Sequence, residues 1–200
     1  MNDPVVNIAG GDARDQRLWN TYVFWARAAF PEPIPANVTI GNASARLALE
    51  RQRSLQAIVF STFALKYRLR SVYAALGIQA RRRDGLWELS SNLQSRTRSS
   101  RGLDGKPIRF AAEWRQVLPR IQKLLELRNK IAHGNSRSVA TLLVARSPSI
   151  KLQARRGYNT FIDAVRVINL AIGYEDRRGA DLRDYYKAMK VRRGCEQPGS

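Results

Sequence analysis

The only histidine of the chain, His133, lies in the stretch LELRNKIAHG (125–134), which also contains an arginine and an asparagine. At 100° per residue, Arg128 lies in the middle of an apolar helix side, so its guanidinium needs a carboxylate, backbone carbonyls or an anion from outside. His133 adds a group that both accepts and donates protons near neutral pH. Together the two residue types could bind an anion and move a proton.

A helix predicted over 110–133 carries these residues, with Pro119 causing a kink or a break and Gly134 as the C-cap. Its buried side is expected to consist of Trp114, Val117, Leu118, Ile121, Leu124 and Leu125. The flank beside that side is polar and carries Gln122, Glu126, Asn129 and His133.

The rest of the chain predicts one all-α domain over 1–200, an up-and-down bundle of about five helices. Apolar periodicity places further helices at 14–30, 42–76, 155–174 and 181–192, with a short one around 86–93. The apolar run 138–145 is ambiguous between helix and strand, and we assign it to helix.

The sequence also predicts which residues the first helix buries, where the second helix ends and which segments lie outside the core. The first helix presents Leu18, Tyr22, Trp25 and Ala29 on one line, and Gly77 ends the second. Residues 1–13 and 194–200 are expected to be flexible, and 81–107 is expected to be a basic surface excursion.

The chain is strongly basic. Lysine and arginine number 35 against 16 acidic residues, a formal charge of +19, and the pI is about 11.2. Such a charge predicts a polyanionic partner. Because most of the positive charge is arginine, whose planar fork matches phosphate, nucleic acid is favoured over an anionic membrane.

The residue content gives little support for a metal site, a secretory signal or a membrane span. One histidine and one cysteine, Cys195, give no zinc or calcium ligand spacing, so we expect no metal and no cofactor. The first residues lack the basic start and apolar core of a secretory signal, and no stretch is apolar enough to span a bilayer. We therefore expect a cytoplasmic protein with no membrane partner.

The segment RNKIAHG resembles the motif of HEPN domains, in which an arginine, a polar residue, three further residues and a histidine follow one another. The resemblance is local, but the helical layout and the positive charge agree with it. It implies a bundle of four or five helices and a metal-independent endoribonuclease of a bacterial toxin, defence or stress system. It also implies that Arg128 contacts the scissile phosphate, that Asn129 helps to position it and that His133 transfers the proton.

Cleavage of RNA without a metal needs a base for the ribose 2′-hydroxyl, an acid for the leaving 5′-oxygen and a cation for the charged transition state. One histidine per chain does not easily fill both proton-transfer roles. The resemblance implies a homodimer in which two copies of the motif share one cleft, and a two-fold axis would supply the second histidine. We add Glu126 and Lys130, from the same stretch, as auxiliary site residues.

A purely structural interpretation of the motif stays open. In it, Arg128 pairs with a core acid such as Glu113 or Asp163, Asn129 faces solvent, and His133 only caps the helix. The alternative function is a non-catalytic HEPN-like module that binds nucleic acid or a partner protein. A third is a helical DNA-binding protein, although the sequence lacks a convincing helix-turn-helix pair.

This chain lacks a tyrosine that is used for regulation in part of the HEPN family. HEPN toxins paired with nucleotidyltransferase antitoxins often carry a tyrosine two places after the histidine, where this chain has Asn135. Control through such a tyrosine is therefore not expected, while an antitoxin or another regulatory protein is a candidate partner. The tyrosines at helical spacing are expected in the core or in an interface; they are Tyr158, Tyr174, Tyr185 and Tyr186.

Six arginines outside the motif are candidate RNA contacts, namely Arg81, Arg82, Arg83, Arg96, Arg98 and Arg101. If RNA is the substrate, we expect them to form a phosphate track that leads to the cleft. Such a track would add affinity without sequence choice and would make binding steeply dependent on salt.

Overall fold

The computed structural model describes residues 13–29, 43–110, 112–133 and 148–174, and these residues form an all-α bundle. The described part contains six helices: α1 (Ala13–Ala28), α2 (Ala43–Ala75), α3 (Leu86–Ser91), α4 (Leu93–Thr97), α5 (Ala112–His133) and α6 (Pro148–Ala171). The predicted fold class is confirmed.

The long helix α2 lies at the centre of the bundle, since it packs against α1, α3, α5 and α6. Leu69 and Val72 are among the fully buried residues on its apolar side, at the spacing that the sequence predicted. The helix ends as predicted. Gly77 has a φ of +69°, and the Ile78 amide donates to the Tyr73 carbonyl at 2.8 Å, which satisfies a carbonyl of the last turn.

Helix α1 turns a different side to the core from the predicted one. Of the predicted line, only Ala29 is buried, whereas Leu18 and Tyr22 are partly buried and Trp25 is 49% exposed. Both lines repeat at intervals of three and four, so periodicity alone does not distinguish them. The side that the structure buries consists of Trp19, Val23, Ala26 and Ala29.

The stretch 81–107 is only partly a surface excursion, which corrects the sequence-based expectation. Helix α3 packs against α2 and α5, and Leu86, Leu89 and Leu93 are buried. Their spacing of three and four residues is the signal that this segment belongs to the core. The exposed parts are residues 81–83 and the stretch after α4, where most residues of 98–107 are accessible to solvent.

Helix α5 continues through Pro119, so the proline does not divide it into two helices. Four of the six residues predicted on its buried side are buried, namely Trp114, Val117, Ile121 and Leu124, while Leu118 and Leu125 are partly buried and pack against the core. Helix α6 begins at Pro148, earlier than the predicted residue 155. The two helices approach closely at Gly157, where an added β-carbon would lie 2.9 Å from the Leu124 side chain.

Several predictions fall outside the described residues. These are the flexible ends at 1–12 and 194–200, the C-cap Gly134, Asn135, the helix at 138–145, the helix at 181–192 and Cys195. Residue 13, which was grouped with the flexible N-terminus, is the first residue of α1. None of the helices in the described ranges combines the length and the apolar composition that crossing a bilayer requires.

Candidate functional site

The last two turns of α5 bring Arg128, Asn129 and His133 together on the surface, and we call these three residues the Arg128 cluster. Asn129 and His133 are exposed, and Arg128 is partly buried. The Arg128 Nη1 donates to the Asn129 Oδ1 at 3.0 Å. The same nitrogen lies 3.4 Å from the His133 Nε2. The predicted site residues therefore meet in one constellation.

Helix geometry explains how the three side chains meet. Asn129 and His133 are four residues apart, so they lie one turn apart on the same line of the helix. Arg128 starts about 140° away from His133 around the axis, but its long side chain reaches that line. Because a guanidinium only donates, its contact with Nε2 is a hydrogen bond when that nitrogen carries no proton.

Helix α2 supplies a ring beneath the guanidinium. The Arg128 Cζ lies 5.3 Å from the ring centroid of Phe63, a cation–π contact. Such a contact contributes about 0.5 to 1 kcal/mol at a partly exposed site and orients the planar fork. Leu127 and Ile131, on the neighbouring side of α5, pack against a second hydrophobic cluster and hold the helix end in place.

Within the described residues, Arg128 does not pair with either of the core acids that the sequence suggested. Asp163 accepts a hydrogen bond from Arg120 at 2.9 Å, and Glu113 accepts one from Arg166 at 3.2 Å. Within the described ranges no carboxylate forms an ion pair with Arg128. Among the described residues its side-chain partners are an amide and an imidazole, and neither compensates the positive charge.

The predicted auxiliary residues, Glu126 and Lys130, are not bonded to the Arg128 cluster. Glu126 accepts a hydrogen bond from the Gln122 Nε2 at 3.1 Å, and Lys130 is exposed. In the described part of the chain, no hydrogen bond joins either residue to Arg128 or His133. Both lie on exposed turns of α5 from which they could reach a bound ligand.

The six arginines outside the motif divide into two groups. Arg81, Arg82, Arg83, Arg98 and Arg101 are exposed, and the Arg101 Nη1 donates to the Gly105 carbonyl at 2.9 Å. Arg96 instead forms an ion pair with Asp84 at 2.8 Å and lies 5.6 Å from the Tyr73 ring centroid. Its charge is compensated, so its evident role is structural.

Within the described residues, no hydrogen bond or ion pair joins Arg81, Arg82 or Arg83 to the Arg128 cluster. The chain turns back after α2, since the Arg81 carbonyl accepts a hydrogen bond from the Arg70 Nη1 at 3.3 Å. Arg70 lies seven residues after Phe63, which is about 10 Å along the axis of α2. A ligand that touches both places must be extended, as a strand of several nucleotides is.

An aromatic surface beside the cluster was missed by the sequence-based prediction. It consists of Tyr22, Phe24 and Trp25 of α1 and Phe60, Phe63 and Tyr67 of α2. The α2 rings recur at intervals of three and four residues, which is the signal that could have revealed a shared face. Because the sequence analysis assigned Tyr22 and Trp25 to the core side of α1, it did not predict this aromatic surface.

The described residues contain no group of three histidine, cysteine, aspartate or glutamate side chains that could hold a metal ion.

Comparisons with known proteins found no family model, no curated protein and no solved structure that matches this chain.

Proposed function

We propose that this protein is a metal-independent endoribonuclease that cleaves RNA by attack of a ribose 2′-hydroxyl on the adjacent phosphate. The observation that carries the proposal is the partly buried guanidinium of Arg128, which contacts an amide and an imidazole but, among the described residues, no carboxylate. The resemblance of RNKIAHG to the HEPN motif and the charge of +19 also support it.

The contacts of the cluster suggest how a phosphate would be received. A phosphate oxygen binds a guanidinium by a charge-assisted hydrogen bond, which is stronger than the 3.4 Å contact with the His133 Nε2. A scissile phosphate would therefore draw Arg128 away from the imidazole. Nε2 would then be available to accept the proton of the attacking 2′-hydroxyl.

The reaction forms a bond between the 2′-oxygen and phosphorus and breaks the bond from phosphorus to the 5′-oxygen. The products are a 2′,3′-cyclic phosphate and a 5′-hydroxyl end. Arg128 stabilises the charge on the phosphoryl oxygens, and Asn129 holds the guanidinium in place. A homodimer supplies a second His133, which protonates the leaving 5′-oxygen.

The first experiment is cleavage of single-stranded RNA by the purified protein in EDTA. We expect products with cyclic phosphate ends, and we expect no cleavage by His133→Ala or Arg128→Ala. Arg115→Ala is the matched control, because Arg115 is an exposed arginine of the same helix. Unchanged cleavage by both site variants would refute the site, and activity that disappears in EDTA would refute the metal-independent mechanism.

Dimerisation is tested separately by light scattering. A dimer at micromolar concentration is expected, and a monomer that still cleaves RNA would contradict the shared cleft.

A non-catalytic HEPN-like module is the alternative, favoured by the presence of one histidine per chain. It predicts tight, salt-sensitive RNA binding without products and no effect of His133→Ala. The cellular setting that we propose is cytoplasmic, in a toxin, defence or stress system with an antitoxin or other regulator as a further partner. Growth arrest on overproduction, abolished by His133→Ala, would support that setting.

A further inference from the structure

Aromatic rings form an unbroken path from the exposed surface of α1 to the Arg128 cluster. Trp25 lies 5.7 Å from Phe24 and 6.0 Å from Phe60, centroid to centroid. Phe60 lies 6.3 Å from Tyr22, and Tyr22 lies 5.1 Å from Phe63 in a stacked arrangement. The path ends at the ring that supports the Arg128 guanidinium.

The outer end of this path is poorly covered by the bundle. Phe24 is 65% exposed and Trp25 is 49% exposed, more than any other large hydrophobic side chain in the described ranges. Aromatic rings stabilise a fold when they are buried, so the bundle gains little from these two exposed side chains. Exposed adjacent rings of this kind mark an interaction site.

The charge of the two helices that carry the rings indicates the kind of partner. Both acidic side chains of these helices, Asp15 and Glu50, already form ion pairs with basic residues. Within the described residues, four basic side chains of α1 and α2 form no ion pair with a carboxylate, namely Arg27, Arg51, Arg53 and Lys66. Flat apolar rings on helices that carry such cations are suited to unpaired nucleobases joined by phosphates.

We propose that the aromatic surface formed by Tyr22, Phe24, Trp25, Phe60, Phe63 and Tyr67 binds the unpaired bases of RNA that flank a phosphate held by Arg128. This inference rests on one part of the proposed function, namely that the Arg128 cluster binds an RNA phosphate. Phe24 and Trp25 supply the accessible ring faces, while the inner rings fix their position. The surface selects single strands, because bases in a duplex are stacked on each other and cannot reach the rings.

The test uses a fluorescein-labelled 2′-O-methyl oligoadenylate of twelve nucleotides, which lacks the attacking hydroxyl and so reports binding alone. An abasic oligomer of the same length carries the same phosphates without bases. Anisotropy titrations at one fixed salt concentration compare the two oligomers. Base–aromatic stacking changes affinity about tenfold per base, so we expect the full-length protein to bind the oligoadenylate at least about tenfold more tightly.

Two variants connect that preference to the rings. Trp25→Ala and Phe24→Ala are each expected to weaken oligoadenylate binding about tenfold and to leave abasic binding unchanged. Leu170→Ala is the matched control, since Leu170 is a 40% exposed apolar residue of α6. It is expected to bind both oligomers as the unmodified protein does, and circular dichroism checks that every variant is folded.

Three results would overturn the proposal: equal affinity for the two oligomers, equal binding by the ring variants, or a duplex bound as tightly as the single strand. A change of oligomeric state in Trp25→Ala would also overturn it, because a second copy of the chain would then occupy the surface. Failure of RNA cleavage with base-dependent binding intact would refute only the ribonuclease proposal.

Discussion

Two regions of the molecule hold a guanidinium against an aromatic ring, and they differ in what else that guanidinium touches. In the Arg96 corner, formed by Tyr73, Asp84 and Arg96, the cation lies 5.6 Å from the Tyr73 centroid and pairs with a carboxylate at 2.8 Å. In the Arg128 cluster the corresponding ring distance is 5.3 Å, and the partners are an amide at 3.0 Å and an imidazole at 3.4 Å.

The difference separates an arginine that holds the fold together from one that can bind a ligand. Asp84 neutralises Arg96, and this pair connects α4 to the loop after α2. Asn129 orients Arg128 without neutralising it, so the charge is available to an incoming anion. A ring and a hydrogen bond are common to both regions, and only the partner's charge distinguishes them.

A third arginine shows that accessibility is also required. Arg68 is fully buried, with its Cζ 5.4 Å from the Trp19 centroid and 5.2 Å from the Tyr174 centroid. Its Nη2 donates to the Asn169 Oδ1 at 2.5 Å. The amide partner resembles that of Arg128, but this guanidinium is sealed within the bundle and serves packing. An amide partner therefore does not by itself indicate a ligand site, because solvent must also reach the guanidinium.

The largest expected effect is the loss of RNA cleavage in Arg128→Ala or His133→Ala. Removing a positioned proton-transfer group or a transition-state cation costs about 10² to 10⁴ in rate. Initial rates on single-stranded RNA in EDTA measure the effect. Arg96→Ala, assayed well below its melting temperature, is expected to keep most of the activity. Equal losses in Arg96→Ala and Arg128→Ala would remove the functional distinction between the two regions.

The next effect comes from giving Arg128 the kind of partner that Arg96 has. Asn129→Asp keeps the side-chain shape but places a carboxylate beside the guanidinium, so we expect RNA affinity to fall about tenfold. Gln116→Glu makes the same change of charge on an exposed turn of α5 and is the matched control. If both variants lose affinity equally, overall charge rather than the Arg128 contact determines binding.

The sequence predicted the Arg128 cluster well because its parts lie within two turns of one helix, where periodicity fixes their relation. It did not reveal Phe63 as the supporting ring, because that depends on which face of α2 meets α5. The side of α1 that is buried was also undetermined. Trp19 and Leu18 begin equally regular lines, and the contact of Trp19 with Arg68 and Phe161 belongs to the folded bundle alone.

A smaller effect concerns the Tyr73 hydroxyl, which donates to the Leu89 carbonyl at 2.8 Å. Burial raises the pKa of Tyr73 from 10.0 to about 12. The unfolded chain therefore loses this proton at lower pH than the folded one. The contribution to stability is complete below pH 10 and is lost as the pH rises towards 12, at about 1.4 kcal/mol per pH unit.

Tyr73→Phe removes both the hydrogen bond and this titration. At pH 7 we expect the free energy of unfolding to fall by about 1 kcal/mol. The difference from the unmodified protein should narrow above pH 10 and reverse near pH 11. Urea denaturation at pH 7, 10 and 11 measures it, and a difference that is constant with pH would show that the phenol is not protected in the folded state.

The smallest effect is expected at the acid end of the pH range and again separates the two regions. The hydrogen bond from Arg96 lowers the pKa of Asp84. A lowered folded-state pKa means that this contribution to stability is present above the unfolded value of 3.8 and is lost as the pH falls through the folded value. Asp84→Asn should therefore be less stable than the unmodified protein at pH 6 and should approach it below pH 4. Asn129→Ala removes the neutral partner of Arg128. It should show no such convergence, because no carboxylate of the described residues pairs with Arg128. Urea denaturation measures both variants, and convergence of both with the unmodified protein at low pH would contradict the distinction between Arg96 and Arg128.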